Sequence, residues 1–94
     1  MKTLVIAHRA FRTLVASYVR KYNPVGDVIE AGTKEKAMSL LREHSFVDVI
    51  IIDSKSFPEL GIQHEHGRLI EIHDKPITPK LLIKFKDNLR KVYA

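Results

Sequence analysis

Four β-branched apolar residues stand together at Val49-Ile50-Ile51-Ile52, and a carboxylate, Asp53, closes the run. A continuous Val/Ile run predicts a strand buried on both faces, and such strands lie at the centre of parallel sheets. We read the central strand as residues 47–53. In open parallel sheets, ligands and chemistry collect just beyond the carboxyl ends of the strands. Asp53 falls where that rule puts a reactive group. The plainer alternative is an acid that opens a surface loop.

The rest of the chain supplies the context. Thr3-Leu4-Val5-Ile6-Ala7 reads as a second buried strand, with a turn at His8-Arg9-Ala10. From Phe11 the period changes: Phe11, Leu14, Val15, Tyr18, Val19 and Tyr22 recur at helical spacing, with Arg12, Ala16, Arg20 and Lys21 largely off that stripe. Asn23-Pro24 ends this helix of about three turns. Asp27–Ala31 is a shorter strand whose polar flanks predict a sheet edge. Thr33 is the expected N-cap of a second helix, with Ala37, Leu40 and Leu41 inward and Lys34, Lys36, Arg42 and Glu43 outward. His44, at its end, is expected to complement the helix dipole. Residues 54–67 are polar and carry no helical period. Residues 68–73 alternate as a half-buried edge strand would. Thr78-Pro79 is a helix start, N-cap followed by proline. It opens a last helix with Leu81, Leu82, Phe85, Leu89 and Val92 inward and Lys80, Lys84, Lys86, Arg90 and Lys91 outward.

Strands alternating with helices predict an α/β domain on a parallel sheet. The two fully apolar strands belong in the middle and the two mixed ones at the edges. With right-handed crossovers the order becomes 2-1-3-4, a three-layer arrangement in one domain, residues 1–94. Ala7-His8-Arg9 and Asp53-Ser54-Lys55 then meet at the switch point of the sheet.

Charge is unevenly distributed. Residues 1–22 have five bases and no acid, 23–74 have five bases and ten acids, and 75–94 have six bases and one acid. In the expected fold the first and last helices share a face, so Arg12, Arg20, Lys21, Lys80, Lys84 and Lys91 form a candidate partner-binding surface for an acidic protein, nucleic acid or anionic membrane. The plainer alternative is a solvated face. No Cys is present, so thiolate metal sites and thiol nucleophiles are excluded. The first residues hold too short an apolar run for a signal peptide, and no stretch approaches the ~20 apolar residues of a membrane span, so a cytoplasmic location is expected.

Three pieces of this sequence resemble the receiver domain of two-component response regulators. Leu4-Val5-Ile6-Ala7-His8-Arg9 looks like the family's first strand and the acidic pair that follows it. Asp48-Val49-Ile50-Ile51-Ile52-Asp53, with Pro58 after it, looks like the strand that carries the phosphoacceptor. Lys75-Pro76-Ile77-Thr78-Pro79 looks like the Lys-Pro turn before the last helix. The resemblance implies a flavodoxin-like fold, with Asp53 at the phosphoacceptor position and Lys75 at that of the phosphoryl-sensing lysine. It spans nearly the whole chain, with departures. Ala7 and His8 stand where the family has two metal-binding acids. About ten residues separate Pro58 from the strand at 68, where a full receiver has a helix, a strand and another helix. The domain is therefore expected to be shortened by one or more β–α units.

Phosphoryl transfer to a carboxylate needs a divalent cation, and Mg²⁺ prefers carboxylate oxygens. Asp53 beside Ala7 and His8 is a poor Mg²⁺ site, and a pairing of Asp53 with Lys75 or His8 is the expected alternative. The expectation is a signalling domain acting through protein–protein contacts: a pseudo-receiver, not an enzyme, with no cofactor. Mg²⁺ enters only if Asp53 is phosphorylated. Two alternatives stay open, a working phosphoacceptor at Asp53 and a basic nucleic-acid-binding module. Loss of a β–α unit leaves the strand at 68–73 as an edge, which self-association or a partner around residues 54–74 would cover. His64-Glu65-His66, with His73, is too weak a pattern to predict a metal site.

Overall fold

The computed structural model describes residues 1–44, 47–53, 55–58, 68–72 and 79–93, with the backbone alone at 68, 69, 71, 72 and 81. Four strands and three helices alternate along it: β1 Lys2–Ile6, α1 Arg9–Tyr22, β2 Asp27–Ala31, α2 Lys34–Glu43, β3 Val49–Asp53, β4 Arg68–Ile72 and α3 Pro79–Val92. The strands form one parallel sheet in the order β2-β1-β3-β4.

Alternation along the strands divides the core in two. Leu4, Ile6, Ile50 and Ile52 point to one face and pack with Ala37 and Leu40 of α2, with Val47 and with Phe57. Val5, Val49 and Ile51 point to the other, against Val15 and Val19 of α1 and Phe85, Leu89 and Val92 of α3. Register keeps each set together, since Leu4 lies opposite Ile50, Val5 opposite Ile51 and Ile6 opposite Ile52. These side chains are almost wholly buried. Each contributes about 1.5–3 kcal/mol relative to exposure, which is why β1 and β3 occupy the middle. β2, whose side chains are only partly covered until Ala31, forms an edge as its composition predicts.

α1 begins two residues earlier than the apolar period implies, at Arg9, because His8 takes the extended N-cap conformation and its carbonyl accepts from the Arg12 amide. Ala16, off the apolar stripe in sequence, is fully buried. Thr33 caps α2 as expected, its hydroxyl accepting from the Lys36 amide at 3.1 Å. His44 stands at the carboxyl end of α2, as expected, and its Nδ1 lies 3.1 Å from Lys2 Nζ.

The two ends of the chain are tied to the amino-terminal side of the sheet. Asp48 accepts from the Lys2 amide at 2.7 Å. Met1 O accepts from the Asp27 amide at 3.1 Å and from Asn23 Nδ2 at 3.0 Å. Just past α3, the Tyr93 hydroxyl hydrogen-bonds Thr3, which is completely buried in β1.

Candidate functional site

The opposite end of the sheet holds Asp53. It is the last residue of β3 and its side chain is buried, 2% exposed. The chain turns sharply after it. The Ser56 and Phe57 amides donate to the Asp53 carbonyl at 3.1 and 3.0 Å. The Ser56 hydroxyl donates to Oδ2 at 2.9 Å, and the Ser56 amide lies 3.4 Å from Oδ1. Asp53 thus holds its own turn through a side chain three residues on. An aspartate closing a short turn in this way is a familiar local motif.

β1 ends alongside. Ala7 is buried and continues the pairing with β2, its amide donating to Ala31 O at 3.2 Å. His8 is exposed, and its ring lies against buried Phe57 with centroids 5.0 Å apart and planes tilted by 36°. That contact joins the β1–α1 turn to the turn after β3, the meeting expected from the strand order.

A second cluster lies toward the β2 edge. Arg12, from α1, reaches over the strand ends. Its Nη1 donates to Ala7 O at 3.2 Å, and its Nε is 3.4 Å from Glu30 Oε1, close enough for an ion pair but too poorly aligned for a hydrogen bond. Gly32 makes the room, because a Cβ there would stand 2.0 Å from Arg12 Nη1. Glu30 also takes Arg20 Nη2 at 3.2 Å. Arg12 is therefore turned inward and does not belong to the outward cationic face, contrary to its expected place. Lys21, Lys80, Lys84 and Lys91 are exposed, and Arg20, though paired, is more than half exposed.

α1 and α3 share one face of the sheet, as expected. Lys86 Nζ stands 4.8 Å from the centroid of the Tyr18 ring, and Arg90 Cζ 5.8 Å from that of Tyr22. Lys75, the Thr78 cap, Ser54, His64-Glu65-His66 and His73 lie outside the described residues, as does most of the 54–74 segment expected to meet a partner.

Four residues were not visible as members of the site: Ser56, Phe57, Glu30 and Gly32. Only Ser56 left a signal, an Asp-x-x-Ser spacing at a strand end. Among the described residues, the Asp53 carboxylate accepts from Ser56, and the adjoining strand end carries Ala7 and His8, which bring no carboxylate oxygen for a hard cation. Among the described residues no group of three or more His, Asp or Glu is placed to hold a metal ion, and no helix is long and apolar enough to cross a membrane. No family model, curated protein or solved structure matches the chain at a significant level.

Proposed function

We propose that this chain is a receiver-like regulatory domain of flavodoxin type, shortened by at least one β–α unit. In this reading it acts through contacts with a protein partner and without Mg²⁺-dependent phosphorylation; a cytoplasmic location goes with it. The observation that carries the proposal is the state of Asp53. It lies at the end of the central strand, where a receiver has its phosphoacceptor, yet its carboxylate is buried and engaged by the Ser56 hydroxyl. Accepting a phosphoryl group requires an approachable oxygen and a cation to neutralise the donor. Ala7 and His8, in place of two acids, provide no such cation site. Asp53 then serves to hold the turn that places Phe57 against His8, and a partner reads the resulting surface.

The test is an amide NMR titration with Mg²⁺ and then beryllofluoride, a phosphoryl mimic, on the wild type and on Asp53→Asn. We expect no saturable shifts at Asp53, Ser56 or His8. Shifts present in the wild type and lost in Asp53→Asn would overturn the metal-free reading and assign Asp53 as a working phosphoacceptor.

A further inference from the structure

The outer layer formed by α1 and α3 concentrates the positive charge of the molecule. α1 has four bases and no acid; α3 has five bases and one acid, Asp87. Leaving out Arg12, which turns inward over the strand ends, that is a net of seven positive charges on a chain whose total is +5, so the remainder is net negative. Little of this charge is neutralised on the spot. Asp87 lies 3.4 Å from Arg90, and Glu30 takes Arg12 and Arg20. Arg9, Lys21, Lys80, Lys84 and Lys91 are exposed and have no carboxylate partner among the described residues.

The seam between the helices adds order to the charge. Lys86 over Tyr18 and Arg90 over Tyr22 have the same offset, since 86 − 18 and 90 − 22 are both 68. The two helices therefore run parallel in constant register. A cation resting on a ring face is held in place, by about 0.5–1 kcal/mol at an exposed site, and still has N–H groups to donate.

We propose that this layer binds the phosphate backbone of double-stranded nucleic acid without reading its sequence. A stable protein interface has an apolar, lysine-poor centre. Here Ile83 is the one large apolar side chain that is exposed among the described residues of the layer, and Lys80, Lys84 and Lys86 stand near it along α3. An anionic lipid surface is bound by apolar side chains that enter it as well as by cations, and Ile83 alone supplies little. Phosphates need only the cations. Each 14-residue helix is about 21 Å long, a length over which duplex DNA presents about a dozen charges. The proposal stands apart from the receiver reading, and each can fail alone.

Fluorescence anisotropy with two short duplexes of unrelated sequence tests it. We expect equal binding to both, falling about 40- to 150-fold between 50 and 200 mM salt if three to four phosphates are neutralised. Lys80→Gln/Lys84→Gln should weaken binding by about tenfold for each of the two lysines that meets a phosphate, with circular dichroism confirming the fold. Lys34→Gln/Lys36→Gln, an equal charge loss on exposed positions of α2, should change it less than about twofold. No binding at low salt, or equal weakening in both double variants, overturns the proposal. So does equal or tighter binding to polyglutamate or to phosphatidylserine vesicles, which would assign the layer to an acidic protein or a membrane surface.

Discussion

Replacing Ser56 by Ala removes the hydroxyl that donates to Asp53 Oδ2 at 2.9 Å. Because Asp53 is only 2% exposed, water cannot simply take the place of that hydroxyl. A hydrogen bond to a charged group is worth about 1.5–3 kcal/mol, against about 0.5–1.5 kcal/mol for a neutral pair. Ser56→Ala is therefore expected to destabilise the domain by about 2 kcal/mol, lowering Tm by about 10 °C at this chain length. In an Asp53→Asn background the acceptor is neutral, so the same change should be smaller by about 1 kcal/mol. That difference is the coupling a double-mutant cycle measures. Urea unfolding of the four proteins, followed by circular dichroism, gives the values. A Ser56→Ala protein within about 0.5 kcal/mol of wild type, or an equal effect in both backgrounds, would refute the assignment of Ser56 as a group that holds the Asp53 carboxylate.

Two further outcomes are expected from the other end of the sheet. In Gly26→Ala the new Cβ would stand 2.0 Å from Asn23 Nδ2 and 2.3 Å from Met1 O, a backbone atom, so the start of β1 must shift. A loss of about 1–3 kcal/mol should outweigh the ~0.4–1 kcal/mol gained from a stiffer unfolded chain, and an unchanged urea midpoint would contradict this. Burial, with a smaller contribution from nearby Asp48, raises the Tyr93 pKa above its ordinary 10.0, and the Thr3 hydrogen bond opposes the shift. The folded state thus keeps its phenol proton more tightly than the unfolded chain does. The associated stability is present below pH 10 and is lost as pH rises through the folded pKa. Urea midpoints on either side of that pH should fall in the wild type and fall less in Tyr93→Phe.

Much of this architecture is written in local pattern. The Val49–Ile52 run, the apolar β1, the helical spacing from Phe11 and the Thr33 cap each express a short-range rule. Period 2 or 3.6 sets which side chains share a face, and a hydroxyl reaches an amide three residues on. The strand order followed because only two strands were apolar enough to be buried on both sides. The position of Asp53 at the end of a central strand was legible for the same reason. Its partner Ser56 stands three residues on, at the spacing of a side-chain-closed turn.

Other features depended on residues far apart in the chain. Nothing local to Arg12 distinguishes it from Arg20, yet Gly32 and Glu30, brought alongside through β2, draw Arg12 inward over the strand ends. His44 meets Lys2, 42 residues away, because β1 brings it beside the end of α2. Lys86 and Arg90 are ordinary exposed bases in sequence, and the parallel docking of α1 and α3 sets them on tyrosine rings. The sequence alone determined which elements form and most of each apolar face, because those follow from side-chain spacing and backbone preference. Only the tertiary structure decided which charges are consumed internally and which remain on the surface, because charge pairing depends on distances that chain order does not fix.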